Sequence, residues 1–327
     1  MSEASQHPYD ALTPECVIEA VESRGYLSDA RLLALNSYEN RVYQVGIEDG
    51  EPLIAKFYRP GRWSLEQLEE EHGFTRELAE ADISVVAPLA DSSGESIHSY
   101  QGFHFALFPR RGGHPPELDN PDNLLVLGRT LGRMHAVGRA STFEHRLELT
   151  PQRMALDSVE FISEHCIPMD LRTPYTTLAE DICQRILEIY RDVKPIRVHG
   201  DCHVGNILWR DETAHFVDLD DCQSAPAIQD LWMFLSGDRN QQLGQLDELL
   251  EGYSEFADFD AGELRLVEAL RTMRIMHYAA WLGRRWEDPA FPRSFPWFGD
   301  SRYWSSHILE LREQFAALEE PPLTLYP

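Results

Sequence analysis

Lysine is almost missing from this chain. Of its 29 basic residues only Lys56 and Lys194 are lysines; the rest are arginines. Yet Lys56 sits inside the apolar, strand-like run PLIAKFY. An ammonium is a compact point charge suited to a phosphate, whereas a guanidinium is a broad fork. The plain alternative is a lysine that snorkels out of its strand. Positive charge is scarce overall: 55 acidic residues leave a formal net charge of −26 over 327 residues. That excludes non-specific binding to nucleic acid or to an anionic membrane. It also means that an anionic ligand needs cations gathered locally. A solvated acidic surface accounts for the charge; attraction of basic partners is the sharper reading.

Other absences narrow the class. The five cysteines are odd in number and form no CxxC pair, which points to reduced thiols in a cytosol rather than disulfides or a zinc knuckle. There is no run of about 18 apolar residues, so no membrane span is expected. The opening MSEASQHPYD has neither a basic region nor an apolar core, so no signal peptide is expected. A cytoplasmic location follows as an expectation. No internal repeat, no low-complexity linker and no G-x-G-x-x-G loop is present.

What is present falls into two parts. Residues 14–24 read as a helix, with Thr13 as N-cap and Pro14 in the first position. Residues 42–47 and 52–58, joined by Glu-Asp-Gly, predict a hairpin, with NSYEN in a turn just before it. Ser64 to Gln67 has the form of a capping box opening a helix to about residue 80. Residues 83–87 and 102–108 read as further strands. PRRGGHPPELDNPDN, rich in glycine and proline, suits a hinge. After it, helical periodicity dominates at 124–138, 177–193, 227–236, 241–256, 261–284 and 303–318. The expected architecture is α+β and two-lobed: a small β-rich N-lobe over 1–109 and a larger helical C-lobe over 110–327.

The helices are interrupted by HGDCHVGNILW and then HFVDLDD, with two short strands between. Here Asp201, Asn206 and Asp218 lie close together in sequence. One carboxylate can orient and deprotonate a hydroxyl, while an amide and a second carboxylate can hold Mg²⁺ against a phosphate tail. Phosphoryl transfer needs that division of labour. Asp218 lies in an apolar strand, where a carboxylate is costly unless a cation or hydrogen bonds compensate it. The bland reading is that Asp201 and Asn206 only cap turns. A rival chemistry also stays open: His199, Asp201 and His203 alternate as zinc or iron ligands would in a hydrolase.

HGDCHVGNIL with FVDLDD resembles the catalytic loop and metal-binding segment of the aminoglycoside phosphotransferase and choline kinase superfamily, which shares the protein-kinase-like fold. LGRTLGRMHAVG resembles the helix upstream of that loop. LNSYENRVYQV, KFYRPGRW, DLWMFLSGD and AWLGRRWEDPAFP together resemble a branch of bacterial stress-response protein kinases, over most of the chain. The resemblance implies a serine/threonine protein kinase that uses ATP and Mg²⁺ and autophosphorylates. It implies Asp201 as proton acceptor, Asn206 and Asp218 as magnesium ligands, and Lys56 on the ATP phosphates. Such a lysine is usually fixed by a helical carboxylate. Glu71 is favoured because it shares a helical face with Phe74 and Leu78; Glu69 and Glu70 are the rivals.

NSYENRVY takes the place of a glycine-rich loop, leaving Asn36, Ser37 and backbone amides to meet phosphate oxygens. Glu39 and Arg41 there read as surface residues. Residues 105–109 and the hinge would cradle adenine. Asp218-Leu-Asp220 replaces Asp-Phe-Gly. Asp230 is expected to hydrogen-bond the backbone of the catalytic loop. Trp281, Trp286, Trp297 and Trp304, with Arg284 and Arg285, wall an acceptor cleft or simply form core. The partners expected are ATP and a protein substrate, with no nucleic acid and no membrane, for a chain that is a monomer. The alternatives are a small-molecule kinase of homoserine, choline or aminoglycoside type, and a non-catalytic nucleotide-binding regulator.

Overall fold

The computed structural model describes residues 9–325. The N-terminal residues 1–8, read above for a leader, lie outside the described part. The chain opens with helix α1 (Pro14–Glu22), whose N-cap Thr13 accepts from the Cys16 amide. Strands β1 (Ser28–Leu35), β2 (Arg41–Ile47) and β3 (Leu53–Phe57) follow. Helix α2 (Leu65–Glu80) starts in a complete Ser64–Gln67 capping box. Strands β4 (His98–Tyr100) and β5 (Phe103–Pro109) complete an antiparallel sheet in the order β1-β2-β3-β5-β4.

The β2–β3 hairpin pairs Val42 with Lys56, in the middle of the sheet. Its alternation buries Ala55 and Phe57 against Phe105 and α1. The strand expected at 83–87 reduces to one parallel bridge, Val85 to Phe216; the chain then turns to β5, where the Leu89 amide donates to the Leu107 carbonyl. β1 begins before the expected hairpin. A bulge between Ser28 and Leu32 breaks its register, with Ala30 at φ 64°, and so hides its period of two.

Helix α3 (Pro121–Arg139) is capped by Asn120. Helices α4 (Asp157–His165) and α5 (Met169–Ile189) follow. α5 starts eight residues before the expected 177 and carries Pro174 within it. β6 (Ile196–Val198) leads to the loop at Asp201, and β7 (Ile207–Arg210) and β8 (Thr213–Phe216) form the short hairpin between the two motifs. β9 (Gln223–Ala225) pairs with β6. Residues 227–236 are two successive 3₁₀ turns rather than the helix expected. Gln229 and Asp230 there bond the backbone at 199–200. α6 (Arg239–Ser254), α7 (Val267–Arg284), α8 (Ala290–Ser294) and α9 (Ser301–Leu318) complete the chain. The 261–284 segment is helical throughout, but its first six residues form a 3₁₀ turn.

These elements form two compact units. Of the described residues, the first holds 9–117, 143–146 and 203–222, and the second holds 118–142, 147–202 and 223–325. The expected division cuts the chain once, at 109/110, whereas these units interleave. The β-sheet, α2 and the β7–β8 hairpin belong to the first; α3 to α9 belong to the second. Among the described residues no helix is long and apolar enough to cross a membrane, and all five cysteines are free thiols.

Within the second unit, α3 and α6 approach to backbone contact. A Cβ on Gly128 would stand 2.0 Å from the Leu249 carbonyl, and one on Gly132 2.5 Å from that of Tyr253. The glycines of LGRTLGRMH therefore serve close packing of the helix that carries His135. Gly128→Ala should lower stability by about 1–3 kcal/mol, the usual cost of overpacking. A thermal melt reads this directly, and an unchanged midpoint would rule out the tight contact.

Candidate active site

Lys56 is the centre of the first unit's polar cluster. Strand β3 projects its side chain into a buried setting, 7% exposed, where Nζ meets three carboxylates. Asp218 Oδ1 lies at 2.9 Å, Asp220 Oδ1 at 3.2 Å and Glu71 Oε1 at 3.5 Å. Burial alone would drive the ammonium toward neutrality. The three carboxylates outweigh that and hold its pKa well above the ordinary lysine value.

Of the three acidic candidates on α2, Glu71 is the one paired with Lys56. Glu70 accepts the backbone N–H groups of residues 144, 145 and 146, and Glu69 is exposed. Burial pushes the Glu71 carboxyl up to about 7, with Lys56 pulling against it and Asp220 adding to it.

Asp220, not anticipated as a site residue, is a second hub. It is buried, with Arg62 on its other oxygen. Burial raises its pKa, but Arg62, Lys56 and Arg146 prevail and hold it well below the usual carboxylate range. Arg62 also reaches Asp221 at 2.6 Å. Arg146 donates to the backbone carbonyls of Asp220 and Cys222. The signals were present in the sequence: an arginine in KFYRPGRW and a third acid in DLDD. Nothing local, however, shows that residues 158 apart pair.

Asp218 adopts the left-handed conformation, φ 60° and ψ 60°, which is uncommon outside glycine and tolerated by aspartate. Its side chain is 54% exposed. The Asn206 carbonyl accepts the Val217 amide at 3.0 Å, so the turn bearing Asn206 is tied to the residue before Asp218. One carboxylate and one amide, both hard oxygen donors, fit a divalent cation that completes its shell with phosphate oxygens and water. The zinc alternative loses a ligand, since His203 Nδ1 accepts the Gly205 amide at 3.0 Å. Among the described residues no three His, Cys, Asp or Glu side chains converge as a metal-binding group.

Asn36 and Ser37 lie in the turn between β1 and β2, the first exposed and the second half-buried. That turn is shaped by arginine rather than glycine. Arg59 donates to the carbonyls of Tyr38 and Glu39 and pairs with the Glu39 carboxylate at 2.8 Å. Arg41 stacks on the Tyr9 ring at 4.3 Å. Glu39 and Arg41, read above as surface residues, are therefore fixed parts of the turn. Of the expected adenine cradle, Phe105, Ala106 and Leu107 are buried on β5, while Phe108 and Pro109 are half-buried.

In the second unit, Asp201 follows β6 and pairs with Arg274 of α7 at 2.5 Å. The loop before it is held by Asp230, as expected. This fully buried carboxylate accepts the amides of His199 at 2.7 Å and Gly200 at 2.9 Å. His135 Nε2 meets it at 3.1 Å. The Arg139 guanidinium donates to Tyr253 Oη, which faces His135 Nδ1 at 3.0 Å. That chain assigns the proton of His135 to Nε2, facing Asp230. His135, Arg139, Tyr253 and Arg274 were not anticipated, because their partners come from distant helices. Of the tryptophans, Trp304 is buried in an aromatic core and Trp297 is 41% exposed.

The chain resembles known phosphotransferases in sequence and in fold. Residues 31–267 match the family described as phosphotransferase enzyme family. A Salmonella typhimurium protein named serine/threonine protein kinase RdoA is 43% identical over 321 residues, covering 98% of this chain and 97% of its own length. The Escherichia coli K12 protein named stress response kinase A is 42% identical over 325 residues, covering 99% and 98%. The solved structure of an amicoumacin kinase, with AMP-PNP and Ca²⁺, has the same kinase-like fold. Its TM-score is 0.73 at 19% identity, covering 94% of this chain and 95% of that one. An aminopropanol kinase aligns with a TM-score of 0.70 at 17% identity, covering 94% and 99%.

The Glu71 carboxyl gives a pH signature. Its folded pKa of about 7 lies above the ordinary value, so the folded state keeps this proton where the unfolded chain has lost it. Its contribution to stability is present at low pH and is lost as pH rises through about 7. Glu71→Gln removes that titration. The variant's melting temperature relative to the parent should therefore climb between about pH 5 and pH 8. A gap that stays flat across this range would contradict the assignment.

Proposed function

The chain belongs to the phosphotransferase enzyme family, and from that premise we propose that it transfers the γ-phosphoryl group of ATP to a serine or threonine hydroxyl of a protein, with Mg²⁺. The observation that carries this reading is the ion cluster of Lys56 with Glu71, Asp218 and Asp220. A buried lysine held among carboxylates, one of them exposed and following a residue tied to the turn of Asn206, is equipped to hold a metal–nucleotide complex. The names of the relatives from Salmonella typhimurium and Escherichia coli support a protein acceptor and a stress-response role.

In this scheme Lys56 engages the ATP phosphates, and Glu71 fixes its direction. Asn36, Ser37 and the amides of their turn face phosphate oxygens. Asn206 and Asp218 would hold Mg²⁺, which supplies charge neutralisation when bound. Asp201 orients the acceptor hydroxyl and takes its proton. The acceptor oxygen forms a bond to the γ-phosphorus, the bond from that phosphorus to the β,γ-bridging oxygen breaks, and ADP departs with the electron pair. Asp230 keeps the backbone before Asp201 in place. Autophosphorylation belongs to the same reaction, with a hydroxyl of this chain as acceptor. The free thiols favour a cytoplasmic setting, where a monomer would suffice for the chemistry.

A second reading has a specific observation behind it. The structural neighbours named amicoumacin kinase and aminopropanol kinase carry small-molecule acceptors in their names. Radiolabelled ATP separates the two: under the first reading label enters protein, and under the second it stays in the small-molecule fraction. Asp201→Ala should lower turnover by about 10²–10⁴-fold, the range for loss of a general base, with the circular dichroism spectrum unchanged. Phosphorylation by the purified variant at the parent rate would overturn the assignment of Asp201.

A further inference from the structure

Helix α7 is basic in an acidic protein, carrying Arg271, Arg274 and Arg284 against one acid, Glu268. Two of these arginines are engaged with their surroundings. Arg271 pairs with Glu268 at 3.3 Å and lies 5.0 Å from the centre of the Trp232 ring. Arg284 donates to the Asp157 carbonyl and lies over Phe161. Arg274 instead reaches Asp201, and its side chain is 43% exposed where that of Asp201 is 26% exposed. Further along the same face, Tyr278 and Trp281 stack with ring centres 5.6 Å apart, at i+4 and i+7 from Arg274.

We propose that Arg274 is a positioning and specificity-determining residue: it fixes the Asp201 carboxylate and selects a hydroxyl carried by a neutral or acidic chain, above all an acidic peptide, against a cationic acceptor. The inference rests on Asp201 acting as the base. A base works only within hydrogen-bond reach of the hydroxyl it serves. Groups neighbouring that hydroxyl therefore stand close to Arg274. A lone carboxylate there would attract an ammonium. Paired with Arg274, it presents no net negative charge, and the exposed part of the guanidinium repels a cation and attracts a carboxylate. The stacked rings of Tyr278 and Trp281 add flat apolar surface, which suits a peptide better than a small polyol.

The test uses the full chain with matched serine peptides flanked by glutamate or by lysine, and with a hydroxy acid and an amino alcohol as small acceptors. The parent, Arg274→Gln and Arg274→Lys are compared, with kcat and KM measured separately. The parent should prefer the glutamate-flanked peptide by about fivefold in kcat/KM, the scale of one partly exposed charge pair. Arg274→Gln should erase the preference, mainly through KM, while Arg274→Lys retains it. A merely structural role would lower both substrates equally and leave the ratio intact, which overturns the proposal. A parent that prefers lysine-flanked peptides or the amino alcohol overturns it as well. If label enters only the hydroxy acid, and Arg274→Gln abolishes its advantage over the amino alcohol, Arg274 keeps this role and the protein-acceptor reading falls.

Discussion

The first unit depends on one buried ammonium. Lys56 stands on β3, the central strand of the sheet, and the carboxylates around it come from α2 and from the segment after β8. Taking such charges out of water costs several kcal/mol each, and only close, mutually satisfied pairing offsets it. The cluster meets that condition by extending outward. Arg62 and Arg146 supply the charge that three carboxylates around a single lysine would otherwise lack. Removing any one member leaves its neighbours buried and unbalanced. The cluster ties the sheet, α2 and the DLDD segment together.

The second unit solves a different problem by similar means. Its polar loop between β6 and Asp201 has backbone amides that no strand partner satisfies. Asp230 accepts two of them, and the chain Arg139–Tyr253–His135 backs the carboxylate from behind. A buried carboxylate with three donors is satisfied and rigid. The close approach of α3 to α6, made possible by Gly128 and Gly132, brings His135 and Tyr253 within hydrogen-bond distance. Helix packing and loop geometry are thus coupled: a change at a glycine far from Asp201 in sequence reaches the loop through hydrogen bonds.

What was legible in the sequence was mostly local. The Thr13 cap, the Ser64–Gln67 capping box, the β2–β3 hairpin and the periodicity of α3 each depend on residues within a few positions of one another, and each is found. The Lys56–Glu71 pair could be read because α2 shows its apolar face, which leaves few acids able to point inward. Asn206 and Asp218 carried a spacing signal. Where reading failed, the cause was non-local. β1 hides behind a bulge. Residues 227–236 close as two 3₁₀ turns, and the side chains of Gln229 and Asp230 bond the backbone at 199–200, a long-range demand that no local pattern shows. Arg62–Asp220 and Arg274–Asp201 join residues separated by most of a unit, and no periodicity marks them. The resemblance to a known superfamily supplied roles for Asp201 and Lys56 but was silent on these arginines.

The scarcity of lysine takes on a structural meaning in this light. An ammonium carries three donors spread around one nitrogen. At Lys56 three carboxylates from two segments, α2 and DLDD, converge on that one atom, at 2.9, 3.2 and 3.5 Å. A guanidinium has five donors, but they lie in a plane as a rigid fork suited to two oxygens of one partner. Arg62 is used in that planar way, reaching Asp220 and Asp221 through its two terminal nitrogens. Arginine in place of Lys56 would not bring its planar donors onto three separate carboxylates in this way. At Lys56 a point charge meets three separate carboxylates, whereas Arg62 spreads its two terminal nitrogens over two neighbouring ones. This geometric distinction explains why an otherwise arginine-based protein keeps a lysine at this position.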